Sequence, residues 1–338
     1  MSLTRVFSPG ILEELLDNSI KLHNSLIGMS EVDENIIVDI LLTTNNEERQ
    51  IIRNNYKKLF KCPIQNDINS KIIKNNLLKE IVINMFDTPY EYDARELKKA
   101  LSKKNEIDED ILIEILCSRP KQYLEIVDLA YKTFFEISLK EEIKNTLSKE
   151  YAKFLLTLMD SERPLEETIS KNQAFEIVEQ IIKNGIKLYS NDVIMFKNIF
   201  VEKSRKDLIL ISRAYYQLNK RCLYDDILEE NIPEKSTLDN NINEEYKERN
   251  KIIRLIKSLL FLVITPAQFF AKKCSLALMK YDINTLFRIL ISRAEIDIKM
   301  IRNYYFKNEK RDIKNDIKNA QDFKNNVNIA KILINLFK

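Results

Sequence analysis

The feature that most constrains this chain is a repeat. DENIIVDILLTT, residues 33–44, aligns without a gap with DEDILIEILCSR, residues 108–119, at a spacing of 75 residues. The match continues, with RNNYKKLF (Arg53–Phe60) opposite DLAYKTFF (Asp128–Phe135). A third copy, SNDVIMFKNIFVEK, ends at Lys203 where the second has Arg119. A fourth, DINTLFRILISRAEIDIKMIRNYYFK, places Ser292-Arg293 against Ser118-Arg119. Within the second copy, Thr88–Arg119 reads as helix, tight loop, helix. Pro89 suits a helix start, Leu97, Ala100 and Leu101 form an apolar stripe of helical spacing, and Asp108 can cap a second helix whose apolar face holds Ile111, Leu112, Ile115 and Leu116. Copies at 75 to 90 residues are too far apart for tetratricopeptide or ankyrin repeats and imply about five helices per unit.

Composition agrees with an all-α chain. Three glycines and seven prolines are too few for the many tight turns of an all-β fold. The formal net charge of +3 indicates no general polyanion-binding surface, so any basic patch must be local. Cys62, Cys117, Cys222 and Cys274 lack CxxC spacing and read as buried, reduced thiols of a cytoplasmic protein. His23 is the single histidine, so a histidine metal cluster is excluded. The N-terminus has no charged-then-apolar signal pattern, and the most apolar run, Leu259–Ile264, is too short to span a bilayer.

Along the chain, residues 1–10 read as a tail before a first helix from Ile11 to about Ile27. Asp160–Lys171 reads as an exposed linker. Glu234–Asn250, polar and rich in Asn and Glu, reads as a surface loop interrupting the third unit. Tyr56, Tyr131, Phe134, Tyr304 and Phe306 fall at core or near-core spacing.

EYDARELKKAL, its loop and DEDILIEILCSR resemble the repeat of the annexins, and SRAEIDIKMIRNYYFK resembles the same part of their last repeat. The resemblance covers nearly the whole chain. It implies an all-α curved disc of four annexin-type repeats, each of about five helices. The tail would be 1–10, repeat 1 11–87, repeat 2 88–160, the linker 161–171, repeat 3 172–265 with a polar insertion at 234–250, and repeat 4 266–338. It also implies a convex face that docks on acidic phospholipid through calcium.

In annexins a loop between the first two helices, of G-x-G-T pattern, offers backbone carbonyls, and an acid about forty residues later closes the site. Calcium takes six to eight oxygens, and glycines let the backbone turn its carbonyls inward. With the Arg119 position as register, the two glycine places fall 15 and 13 residues earlier. They hold Met29 and Glu31, Lys104 and Glu106, Leu188 and Ser190, and Leu278 and Lys280. The closing acid falls 27 residues after the register point, at Lys71, Thr146, Glu230 and Ala320. Repeat 3 alone keeps its acid. The resemblance therefore implies at most one weak calcium site, formed by Gly185, Leu188, Ser190 and Glu230, with Tyr189 placed to meet the bilayer interface. In repeat 1, Ser30 reads as a helix N-cap. Glu34 and Glu109 match a minor calcium ligand of the family, although acids in a helix's first turn are equally expected.

Asp93, Glu96, Glu114, Arg119 and Arg293 match positions of the polar central axis of annexins, where Arg and Asp facing one another across repeats would form charge-assisted pairs. Lysines occupy the candidate membrane-facing loops, among them Lys71, Lys103 and Lys104. Residues 299–338 carry a local charge of +6.

The expected function is that of an annexin-like peripheral membrane protein binding acidic phospholipids, with weak or partly lost calcium dependence, on the inner face of membranes. The alternative is a helical-repeat scaffold for protein partners that has lost lipid binding. A nucleic-acid partner, a small-molecule substrate and an enzymatic activity are not expected. The chain has no P-loop, no glycine-rich dinucleotide turn and no metalloprotease motif.

Overall fold

The computed structural model describes residues 7–27, 32–72, 76–102, 107–185, 192–229, 240–320, 323 and 326–337. Its regular structure there is helical, in four successions of five. The first comprises Pro9–Ile27 (α1), Glu34–Thr43 (α2), Asn46–Phe60 (α3), Ile64–Lys71 (α4) and Asn76–Phe86 (α5). The second comprises Pro89–Leu101 (α6), Glu109–Ser118 (α7), Lys121–Phe135 (α8), Leu139–Thr146 (α9) and Lys149–Asp160 (α10). The third comprises Lys171–Asn184 (α11), Val193–Phe196 (α12) continued by a π-helical stretch Lys197–Val201, Arg205–Asn219 (α13), Leu223–Glu229 (α14) and Asn240–Ile264 (α15). The fourth comprises Pro266–Lys280 (α16), Ile283–Arg293 (α17), Ile298–Glu309 (α18), Ile313–Asn319 (α19) and Val327–Asn335 (α20).

Each succession is written by the same local code. Asp33, Asp108, Asp192 and Asp282 stand 11 residues before the register position in every repeat. Each caps the second helix, its side chain accepting from Asn35, Ile111, Ile194 and Thr285 N–H respectively. Such a cap satisfies a helical donor that otherwise lacks a partner. Asp33, not Ser30, is thus the N-cap of α2; Ser30 lies outside the described residues. The third helix of every repeat ends on a left-handed residue, Lys61, Glu136, Lys220 or Lys310, with φ between 57° and 63°.

Across that turn a tyrosine hydroxyl donates to a carboxylate 11 residues on. Tyr56 reaches Asp67 at 2.6 Å, Tyr215 reaches Asp226 at 2.7 Å and Tyr305 reaches Asp316 at 2.7 Å; Tyr131 makes the same bond to Glu142. Burial and then the carboxylate push all of Tyr56, Tyr131 and Tyr305 well above the ordinary phenol range. The bond pins the fourth helix to the third. In the last repeat the core tyrosine is therefore Tyr305, whereas Tyr304 is half-buried and Phe306 is 56% exposed.

The chain forms two compact units, 1–89 with 270–338, and 90–269. In the first, α20 packs on α2, where Asn335 Nδ2 donates to Leu42 O at 2.7 Å. Arg49 is buried there, its Nε donating to Met85 O at 2.8 Å. Burial holds this guanidinium below its usual value, at about 10, so it remains charged at neutral pH.

In the second unit, α15 packs on α7 and α10. Residues 240–250, read from sequence as loop, are the first turns of α15. Glu248 explains part of this: it accepts from Ser148 Oγ and from Tyr151 N at 3.1 Å, and so helps cap α10. Lys251 and Arg254 meet Glu109 and Asp110 at 3.2 and 2.7 Å. Polar composition here does not mean absence of a helix. The 161–171 linker is exposed but anchored. Arg163 donates to Phe200 O at 2.7 Å and to Lys203 O, while Asp207 accepts from the Thr168 and Ile169 amides at 2.9 and 3.2 Å.

All four cysteines are free thiols, but only Cys117 and Cys274 are buried; Cys62 is half-buried and Cys222 exposed. Among the described residues, no single helix is long and apolar enough to cross a membrane.

Candidate functional site

The connection between the first two helices of a repeat is where a cation would be held. In the third repeat it begins at Gly185, which ends α11 with its N–H on Ile181 O at 3.0 Å and takes φ 73°, ψ 152°. Only glycine adopts that backbone without strain. Leu188, Tyr189, Ser190 and Glu230 lie outside the described residues, as do Lys103 and Lys104 of the second repeat.

The fourth repeat is described throughout this region. There α16 stays helical through both glycine places, Leu278 and Lys280. The connection to α17 shrinks to Tyr281, at φ 56°, and Asp282, whose N–H returns to Ala277 O at 2.9 Å. Carbonyls of a helix run parallel to its axis and do not converge on a point. The closing position is Ala320, which brings no carboxylate. This connection does not fit a calcium ion.

The closing positions of the first two repeats are also described. Lys71 is the exposed last residue of α4, and Thr146 the exposed last residue of α9. Neither supplies an anionic oxygen. Glu109 is taken up by Lys251 and Arg254 of α15. Among the described residues, no group of three or more His, Cys, Asp or Glu side chains is arranged to hold a metal.

Of the five predicted polar-axis residues, Asp93, Glu96, Glu114 and Arg293 are buried and Arg119 is half-buried, and the pairing differs from expectation. Asp93, Glu96 and Glu114 are at most 6% exposed. Arg119 Nε donates to Asp93 Oδ2 at 2.8 Å, and its guanidinium lies 5.5 Å from the Tyr123 ring. Glu96 meets Lys99 at 2.8 Å. Arg293 grips Asp297 in two bonds of 2.8 and 2.7 Å and lies over the Phe270 ring. The pairs of Arg119 and Arg293 thus join residues of one repeat, not of two. Asp93 lies on α6, the helix before α7 in the same repeat, and Asp297 is four residues beyond Arg293. Sequence reasoning missed Asp297; the i, i+4 spacing was the available signal.

A family model described as annexin matches residues 20–74, 92–158 and 269–328, together more than half of the chain. Among curated proteins, annexin A13 of Mus musculus is 29% identical over 288 residues, covering 83% of each chain. Annexin A3 of Homo sapiens is 26% identical over 303 residues, covering 89% of this chain and 85% of that one. Among solved structures, annexin III superposes with a TM-score of 0.80 at 24% identity, covering 94% of this chain and 93% of that one. A calcium-bound annexin (Sm)1 superposes at 0.74 with 20% identity, covering 98% and 92%. These structural likenesses extend over the third repeat, which the family model skips.

Proposed function

The chain belongs to the annexin family, and on that premise we propose that it is a peripheral membrane protein binding acidic phospholipids with a weakened dependence on calcium. Annexins are in general calcium-dependent phospholipid-binding proteins. The observation that carries the departure is the fourth repeat, where α16 remains helical through Leu278 and Lys280 and Ala320 replaces the closing acid. Lys71 and Thr146 at the other closing positions support it. The remaining calcium site would be Gly185, Leu188, Ser190 and Glu230 of the third repeat.

In the first two repeats a cationic side chain takes over part of the metal's role. Exposed Lys71, with Lys103 and Lys104, would face the phosphates that a bridging calcium would otherwise meet, and Tyr189 would sit at the interface. Each basic residue near an acidic bilayer contributes about 1 kcal/mol, so three give weak, reversible docking. The protein would act in the cytoplasm, on the inner face of membranes, without catalysing a reaction.

The test is cosedimentation with phosphatidylserine vesicles, with calcium and in chelator. Pelleting in chelator at low salt that disappears at high salt is expected, because surface charges are screened over about 10 Å at 0.1 M. Protein that stays in the supernatant in chelator at low salt rules the proposal out and favours the scaffold reading.

A further inference from the structure

A groove of about 570 Å³ opens in the third repeat between α13, the start of α14 and the end of α15. One face of α13 lines it with Ile209, Ser212, Arg213 and Tyr216, at helical spacing. Leu223, Leu260, Phe261 and Ile264 form the apolar floor and far wall. Arg205 donates to Ile264 O at 3.1 and 2.9 Å and fixes the end of α15 in place.

The first repeat of the same chain shows what spans this place when the groove is filled. In the first, the positions matching Ile209 and Ser212 are Gln50 and Arg53. Both reach across to the end of α5, where Phe86 O accepts from Gln50 Nε2 at 3.2 Å and from Arg53 Nη1 at 3.4 Å. In the second repeat the matching residues are Glu125 and Asp128, and in the fourth Lys299 and Arg302. Only the third repeat puts a branched alkyl side chain and a hydroxyl at these places. The long polar side chains that cross the cleft in the first repeat are missing, and an apolar trough is left.

The chemistry of the trough selects its occupant. Its volume is that of a small-ligand pocket, roughly 300–1,000 Å³. Arg213 is the single charged residue among those lining it. It is exposed and makes no ion pair among the described residues. An apolar trough with one exposed guanidinium in its lining matches an alkyl chain ending in one carboxylate, which that planar fork binds through two parallel bonds. We infer that the third repeat binds a free long-chain fatty acid, with the chain along Leu260, Phe261 and Ile264 and the carboxylate on Arg213. This goes beyond attachment to a phospholipid surface and needs neither calcium nor a bilayer.

The full chain is titrated with oleate below its micelle concentration, in chelator and without vesicles, by calorimetry. Saturable binding of one oleate per chain is expected. Methyl oleate should bind about tenfold more weakly, and Arg213→Ala should weaken oleate by about the same factor while leaving the ester unchanged, as expected for loss of a charge-assisted bond. Ile209→Gln with Ser212→Arg, which rebuilds the bridge of the first repeat, should abolish binding while far-ultraviolet circular dichroism and vesicle cosedimentation stay as in the parent protein. Non-saturable partition, equal binding of acid and ester, or full binding by the filled variant would each overturn the inference. So would a groove that takes up an amphipathic helical peptide but no oleate.

Discussion

Arg119 Nε holds Asp93 Oδ2 at 2.8 Å, across 26 residues of chain, with the two side chains 7% and 1% exposed. Burial opposes the charge on Arg119, but the Asp93 carboxylate outweighs it and the guanidinium ends above its ordinary value. A buried pair of this kind is worth little against an apolar replacement of both partners, yet breaking it strands a charge. Asp93→Ala should therefore destabilise by about 3–5 kcal/mol. Asp93→Ala with Arg119→Met should recover much of that loss, read from urea unfolding.

Asp207 is buried and accepts from four groups: Thr168 N and Oγ1, Ile169 N and Ser204 N. Desolvation alone would raise its pKa, but the bonds from Thr168 and Ser204 prevail and hold it below the ordinary carboxylate value. A depressed folded value means that the stabilisation is complete above the unfolded pKa of about 3.9 and is lost as pH falls through the lower folded value. Asp207→Asn should cost about 1–3 kcal/mol at neutral pH. The difference from the parent protein should stay constant down to about pH 4 and shrink below it. Urea midpoints taken across that range would expose a different profile.

Calcium affinity, if measurable by calorimetry, should depend on Glu230 and on no other closing position. Glu230→Ala should remove it, whereas Thr146→Ala and Lys71→Ala should leave it intact. Unchanged affinity in Glu230→Ala would show the site assignment to be wrong.

Docking to acidic vesicles in chelator should weaken in Lys71→Glu with Lys104→Glu. Reversing two charges changes the contact by about 2–4 kcal/mol on the scale of 1 kcal/mol per basic residue. Equal cosedimentation of the double variant and the parent protein would remove these lysines from the contact.

Tyr305→Phe removes the bond to Asp316 while keeping the ring. A loss of about 1–3 kcal/mol is expected, because the acceptor is a carboxylate. Amide exchange should rise first in α19, the helix this bond secures, and uniform exchange across the last repeat would contradict a local role.

Much of this protein was legible in its residues. The 75-residue repeat, the Asp108 cap and the apolar stripes are local and periodic. Helix capping and helical spacing act within a few residues, so a sequence states them directly. The missing glycines and the lysine at position 71 were equally plain, since they are matters of identity and not of geometry. Tertiary structure decided the rest. Residues 240–250 are the start of α15, whose Glu248, Lys251 and Arg254 bond to α10 and α7, and composition does not announce such partners. Arg119 pairs inside its own repeat because helix packing brings Asp93, 26 residues away, within 3 Å of it. The groove of the third repeat follows from what Ile209 and Ser212 fail to reach. A distance between helices far apart in the chain has no local signature and exists only once their side chains have packed.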